Sequence, residues 1–275
     1  MSDMTGRTVL VTGATSGIGR ETAAQLASMG ARVFVHGRTP ESAGRTVREL
    51  EDAVGNGLLE PISADLASLS AVRGLAEEVG RRTEHLHVLV NNAGVYMPHR
   101  TLTPDGNETT FAVNHLASFA VTLLLSGLLE DSAPARVITV SSVVHFRGRI
   151  PLEDPAYSAC YDASAAYADS KLANILFAFE AAGRMASAGV TSNALHPGVI
   201  DTKLLRTGFP GSNGASPAAG ASTPVYLAAS PEVEDVTGRY FVNRHPAQPA
   251  PAALDHDLRE RLWAVSENLT GIAHR

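Results

Sequence analysis

Arg7-Thr8-Val9-Leu10-Val11-Thr12-Gly13-Ala14-Thr15-Ser16-Gly17-Ile18-Gly19-Arg20 passes from a β-branched apolar run, through a glycine-rich turn, into a helical stretch that closes at Met29-Gly30. A short apolar run closed by glycine reads as a buried strand. Strand, glycine turn and helix in that order aim bare backbone amides and a helix N-terminus at one point, which suits an anion. Glycines at Gly13, Gly17 and Gly19 let the backbone approach a diphosphate and let the helix pack close to its strand. Such turns also occur as plain tight connections, so the surroundings decide.

The next apolar run, Ala31 to His36, follows at the distance a βαβ unit requires. It ends in His36-Gly37-Arg38, where an acidic residue would suit the ribose 2′-hydroxyl of NAD(H). Guanidinium suits a 2′-phosphate instead, and Arg20 on the first helical turn is a second cation, so NADP(H) is expected over NAD(H). The bland alternative is that Arg38 opens a surface loop. A helix from about Pro40 to Val54, a strand Leu58 to Ala64 ending at Asp65-Leu66, a helix from about Ser68 to Thr83 and a strand Leu86 to Val90 continue the alternation. Repeated strand-then-helix steps imply one doubly wound α/β domain of Rossmann type, residues 1–275, with about seven strands in a parallel sheet and helices on both faces. Ligands in such sheets lie beyond the carboxyl ends of the strands, where Thr12, Arg38, Asp65, Asn91 and Ser142 fall.

Bulk properties narrow the partners. The chain has 275 residues, 44% apolar and 18% charged, with a formal net charge of -6 and no cluster of basic residues. That disfavours nucleic acid and anionic membrane surfaces and leaves small molecules as ligands. A single cysteine, Cys160, excludes an internal disulfide, and without a CxxC or HExxH pattern no metal site is expected. His85 and His87 read as strand-edge residues. The run from Met1 to Arg7 leaves no room for a signal peptide, and the apolar run Leu116 to Leu129 is too short to span a bilayer, so a cytoplasmic protein without membrane anchor is expected.

A long helix, about Glu108 to Glu130, carries Asn114 among apolar neighbours, where an amide wants a partner. A strand Ala135 to Val140 ends at Ser141-Ser142. Residues 143–160 and the Gly/Ser-rich 203–216 are irregular, and both are expected to contact substrate, the second as a mobile flap. Helix Asp162 to Ser187 carries Tyr167-Ala168-Asp169-Ser170-Lys171. Residues four apart share a helix face, and a Lys charge at about 5 Å and an effective dielectric of about 20 favours a phenolate by roughly 3 kcal/mol. That suits a phenol acting as acid or base. A strand Val190 to Leu195 leads to His196-Pro197-Gly198-Val199, a helix spans about Pro217 to Ala229, and a last strand lies near Tyr240 to Val242. Pro246 to Pro251 links to a C-terminal helix with Trp263, read as a packing residue.

Thr12-Gly13-x-x-x-Gly17-x-Gly19, Asn91-Asn92-Ala93-Gly94, Asn114, Ser142, Tyr167-x-x-x-Lys171 and Pro197-Gly198, in this order, resemble the short-chain dehydrogenase/reductase family over residues 5 to about 245. Phe111-Ala112-Val113-Asn114-His115-Leu116, Ser170-Lys171-Leu172-Ala173-Asn174 and the tail from Leu262-Trp263 are similar to its retinol dehydrogenase and WW-domain oxidoreductase branch. The chain departs from that branch in lacking an N-terminal anchor and a WW domain, and in having Ala117-Ser118 after His115-Leu116. The departure points to a soluble, bacterial carbonyl reductase, with secondary metabolism as a setting.

The resemblance implies an NADP(H)-dependent oxidoreductase moving hydride between nicotinamide and a ketone, an aldehyde or the matching alcohol. Gly13, Thr15, Ser16, Gly17, Ile18 and Gly19 hold the diphosphate, and Arg20 and Arg38 the 2′-phosphate. Asp65 and Leu66 lie beside the adenine, Asn91, Ala93 and Gly94 along the ribose, and Pro197, Gly198, Val199 and Thr202 at the nicotinamide carboxamide. Ser142 bonds the substrate carbonyl and Tyr167 donates the proton. Lys171 lowers the Tyr167 pKa and binds the nicotinamide ribose, and Asn114 places a water that relays protons to Lys171. Homodimers or homotetramers are the family's habit. The alternative class is a cofactor-binding regulator or scaffold without turnover. A hydrolase is excluded by the lack of a Gly-x-Ser-x-Gly elbow.

Overall fold

Side chains on neighbouring strand residues point to opposite faces, and in this chain both faces are apolar. Val9, Val11, Val33, Val35, Val88 and Val90 join one buried cluster, while Leu10, Phe34 and Leu89 join another. A sheet with two apolar faces needs helices on both. The computed structural model, which describes residues 3–55 and 58–273, has that arrangement; Met1 and Ser2 of the N-terminal run lie outside the described residues.

The strands are β1 (Thr8–Val11), β2 (Arg32–Gly37), β3 (Leu59–Ser63), β4 (Val88–Asn91), β5 (Ala135–Val140), β6 (Val190–His196), β7 (Tyr240–Val242) and β8 (His245–Ala247). They form one sheet in the order β3-β2-β1-β4-β5-β6-β7-β8, parallel except for β8, which runs antiparallel to β7. The sheet thus has eight strands where about seven were expected. The extra one is a three-residue hairpin arm, His245-Pro246-Ala247, exposed throughout. Both outer strands hold a proline, Pro61 in β3 and Pro246 in β8. The order reverses between β1 and β4, which opens a crevice at their carboxyl ends.

Helices α1 (Gly17–Ser28), α2 (Pro40–Val54) and α3 (Leu69–Arg82) follow the first three strands. The long helix expected from Glu108 to Glu130 is broken into α4 (Thr109–Phe111), a π-turn (Ala112–Leu116), α5 (Ala117–Leu124) and α6 (Ser126–Glu130). In the π-turn the Ala117 N–H reaches back to the Ala112 carbonyl. The extra residue lets Asn114 turn inward, where its side chain bonds to Val95 and Ser170. The second break is at Leu125, whose φ of -101° and ψ of 5° lie outside helical values.

The long α7 (Ala163–Arg184) crosses the sheet beside α5, and α8 (Lys203–Gly208) places a helix in the segment expected to be irregular. Thr202 caps it, its hydroxyl accepting from the Leu205 N–H at 3.3 Å. On the other face α9 (Pro217–Ala229) packs on α1, and a Cβ at Gly220 would lie 2.9 Å from Ile18. The C-terminal α10 (His256–Thr270) docks on α7. Trp263 is buried there, edge-on to Phe119 at 4.9 Å and stacked on Phe177 at 6.0 Å, in keeping with a packing role.

Three imidazoles, two of them buried and one half-buried, are held as neutral rings. Burial alone holds His115 down to about 3, while His36 and His196 are each lowered to about 4, again chiefly by burial. In the unfolded chain each protonates near the ordinary value of 6.5, so between these limits the unfolded state binds more protons. Stability is therefore full above about pH 6.5 and falls as the pH drops towards 4, by about 1.4 kcal/mol per unit for each ring. Urea midpoints should hold level from pH 7.5 to about 6.5 and then fall towards pH 5; a flat profile throughout would show that the rings titrate alike in both states.

Candidate active site

Six strand ends, of β1 to β6, supply the parts. At the end of β1 the Thr12 hydroxyl accepts from the Asn92 and Ala93 amides at 2.9 and 3.0 Å and donates to the Val90 carbonyl at 3.2 Å. The Asn92 side chain donates to the Thr12 and Gly13 carbonyls at 2.7 and 3.2 Å. These bonds weld the glycine turn to the Asn92-Ala93-Gly94 segment. The fit is close enough that a Cβ on Gly13 would sit 2.8 Å from the Ala93 Cα. From the other side the Gly13 N–H donates to His36 Nδ1 at 3.1 Å, and His36 Nε2 meets the Ala64 carbonyl at 3.1 Å. One neutral ring therefore ties the ends of β1, β2 and β3 together.

Helix α1 begins at this turn with Ser16 as its N-cap, yet no side chain caps it and its first turn carries no acid. Helices α2, α3, α7, α8, α9 and α10 each have a side-chain oxygen on an early amide. The free amides of α1 at Gly17, Ile18 and Gly19, beside Thr15 and Ser16, fit a diphosphate. The Thr202 methyl lies 3.0 Å from the position a Cβ on Gly17 would take, so the Pro197 to Thr202 segment borders the same turn.

At the mouth of β2, Arg38 is exposed and has no ion pair among the described residues. Arg20 differs: it lies 3.6 Å from Glu21 and 3.5 Å from Glu49. Asp65 is exposed at the end of β3, and its carboxylate accepts the Ala67 N–H at 3.0 Å, whereas Leu66 is buried. Asn91 does not line the crevice with its side chain. It is 1% exposed and donates to the Thr122 hydroxyl of α5 at 3.0 Å. Ala93 and Gly94 are part-exposed, and a Cβ on Gly94 would press on Lys171 Nζ at 3.3 Å and Asn114 Oδ1 at 3.4 Å.

Across the crevice, α7 presents Tyr167 and Lys171 on one face, with Lys171 Nζ 5.7 Å from the phenol ring centre. The ammonium donates to the Val140 carbonyl at 3.1 Å. Burial lowers it to about 8. The expected lowering of Tyr167 by its neighbour is not found. Burial pushes the phenol above its ordinary value, and a hydrogen bond with Ser142 is the one opposing influence. Desolvation disfavours the charged phenolate. Tyr167 is therefore a protonated phenol at neutral pH.

The Asn114 amide accepts from Val95 N at 2.7 Å and donates to Val95 O at 3.0 Å and Ser170 Oγ at 2.9 Å. Its Oδ1 accepts that one bond, and its backbone carbonyl accepts the Ser118 hydroxyl at 3.2 Å. Ser142, two residues past β5, is the N-cap of the turn Val143–Arg147, its hydroxyl accepting from Val144 N at 3.4 Å. Rings from both flanking loops close over Tyr167. Tyr96 lies 5.7 Å and Phe209 6.1 Å from it, and 5.9 Å from each other. Segment 143–160 is anchored by Asp169, which accepts the Arg149 amide and the Tyr157 hydroxyl, each at 2.6 Å.

A family model described as short chain dehydrogenase matches residues 7–211. The chain belongs to the short-chain dehydrogenase family. Members of this family are oxidoreductases that use a nicotinamide cofactor. Retinol dehydrogenase 14 of Mus musculus is 43% identical, the match covering 98% of this chain and 87% of that protein. Among solved structures, an uncharacterised protein from Mycobacterium paratuberculosis aligns with a TM-score of 0.84 at 32% identity, covering 100% of this chain and 97% of that one. The Pseudomonas aeruginosa RhlG/NADP complex aligns at 0.72 with 28% identity, covering 87% and 95%. No helix among the described residues of this short-chain dehydrogenase is long and apolar enough to cross a membrane.

Several residues around the family's motifs escaped the sequence reading. His36, His145, His196, Tyr96 and Phe209 belong to no motif, and a strand-end histidine or loop aromatic carries no local signal of what it meets. Asn92 was legible in principle. Strand alternation in β4 turns Asn91 to the same face as Leu89, under α5, and so gives the turn to its neighbour.

Proposed function

We propose that this chain is an NADP(H)-dependent reductase that moves hydride between nicotinamide and an apolar carbonyl compound or its alcohol. One observation carries the reading: a buried Tyr167 shares a helix face with Lys171 beside Ser142, across the crevice from an uncapped helix N-terminus. The exposed, unpaired Arg38 supports NADP(H), as does the NADP named with the Pseudomonas structure. Val143, Phe146 and Val199, 46%, 54% and 49% exposed just past the ends of β5 and β6, support an apolar substrate. The name of the mouse relative agrees with that.

The nicotinamide, when bound, supplies or accepts the hydride. The Ser142 hydroxyl donates a hydrogen bond to the substrate oxygen and holds it near Tyr167. As carbon gains hydride, the Tyr167 phenol passes its proton to that oxygen. The carbonyl becomes an alcohol and the tyrosine a phenolate. The Lys171 ammonium stabilises that negative charge as it develops, an attraction that works against the rise burial gives the phenol. Asn114 holds Val95 and Ser170 and thereby the loop and helix around the phenol. Oxidation of an alcohol follows the same path in reverse.

NADPH consumption with a panel of apolar ketones and aldehydes tests the reading. Oxidation of NADPH matched by alcohol formation is the expected result, and tight NADPH binding without turnover across the panel would favour a regulator. Lys171→Met gives a second check. It removes a buried ammonium whose desolvation is unfavourable, so unfolding stability at pH 7 should rise by about 1–3 kcal/mol while turnover falls at least about 100-fold. A loss of stability in urea would instead make the bond to the Val140 carbonyl a structural one.

A further inference from the structure

Two imidazoles flank Ser142 and take no part in the steps above. His145 is fully buried on the turn after Ser142, and His196 is the last residue of β6. Between them lies the peptide group that joins Ser142 to Val143, and both of its polar ends are bonded to them. Its carbonyl, on Ser142, is 2.6 Å from His145 Nδ1, and its N–H, on Val143, is 3.2 Å from His196 Nδ1.

The tautomers follow from the partners. The Ala250 N–H donates to His145 Nε2 at 3.0 Å, so that nitrogen carries the lone pair and Nδ1–H is the donor to the Ser142 carbonyl. His196 Nδ1 accepts the Val143 N–H and is therefore bare. Each ring is neutral, one as the Nδ1–H form and the other as the Nε2–H form. The His145 ring is fixed further by Tyr240, whose centre lies 5.0 Å away at an interplanar angle of 63°.

A peptide plane bonded at one end can still pivot about the other. Bonded at both, it fixes the ψ of Ser142, here 155°, and the φ of Val143. Those torsions decide where the Ser142 Cβ, and hence its hydroxyl, points relative to Tyr167. Displacements of about 1 Å at a reacting group cost on the order of 100-fold in rate.

We propose that His145 and His196 are positioning residues that lock the Ser142–Val143 peptide from opposite sides and so aim the serine hydroxyl. Through the Ala250 amide, the proline-rich segment after β8 becomes part of the same support. The inference rests on the reading of Ser142 as the donor to the substrate oxygen.

Isosteric substitutions separate aiming from packing. His145→Asn keeps an N–H where Nδ1 was, whereas His145→Gln keeps an acceptor only near Nε2. His196→Asn keeps an acceptor at Nδ1, and His196→Leu keeps none. His145→Gln and His196→Leu should lower kcat by about 10–100-fold, with the two Asn variants restoring it to within about 3-fold and the NADPH dissociation constant unchanged in all four. In a Ser142→Ala background, His196→Leu should cost less than about 2-fold, because residues acting through one group are not additive. Equal losses with and without the serine hydroxyl would overturn the inference. Full turnover in Ser142→Ala alone would instead overturn the reading of Ser142. His196 is only half-buried, so its cycle decides the matter even if the His145 variants do not fold.

Discussion

Tyr167→Phe should lower kcat by about 1,000-fold or more while NADPH affinity stays within about 3-fold. The substitution deletes one oxygen from a residue that is 6% exposed. The ring remains, with its neighbours Tyr96 and Phe209 at 5.7 and 6.1 Å, so the packing of both flanking loops is preserved. What disappears is the one acidic proton that lies beside Ser142 and is held on oxygen by burial. Single-turnover rates measured with saturating NADPH separate chemistry from binding. Turnover within about 10-fold of the parent would mean that water or another group delivers the proton.

Arg38→Asp should reverse the proposed preference for NADP(H) over NAD(H), changing the ratio of the two kcat/KM values by about 1,000-fold. A charge-assisted bond between guanidinium and a 2′-phosphate is worth about 1.5–3 kcal/mol, and a carboxylate in its place adds repulsion, giving about 4 kcal/mol together. The same carboxylate suits the ribose hydroxyls of NAD(H). Arg20 is a weak substitute because Glu21 and Glu49 already hold it at 3.6 and 3.5 Å. An unchanged ratio would show that another group reads the 2′ position.

Most of the sheet could be read from the chain because its strands are short, mostly apolar runs that end at or close to Gly, Asn, Asp or Ser, and because helices fall between them. The ends of β5 and β7, and of α2 and α9, fall where the sequence predicts. The failures have physical causes. Apolar periodicity around residues 108–130 is nearly the same with or without one extra residue in a turn, so the π-turn at Ala112–Leu116 is invisible until the partners of Asn114 are seen. His245-Pro246-Ala247 has no apolar pattern, because an exposed edge arm needs none.

The site was legible as a set of residues and less so as a set of energies. The spacing of Tyr167 and Lys171 fixes their common face. Coulomb attraction at that spacing predicts an acidified phenol, but full burial raises the phenol and lowers the ammonium to about 8. Burial is a property of what packs over the pair, here Tyr96 and Phe209 from distant loops. The neutral-histidine bonds at Gly13, Ser142 and Val143 likewise join residues 23 to 53 or 3 positions apart with no motif to announce them.

The prolines in the outer strands bear on how copies of this chain can meet. An edge strand recruits another chain by offering a row of amide donors, and proline deletes a donor from that row. Pro61 does so at one margin, opposite Val35, and Pro246 at the other, opposite Phe241. Neither margin can template a continuous sheet across a boundary between molecules. Growth into cross-strand fibres is discouraged from both directions at once.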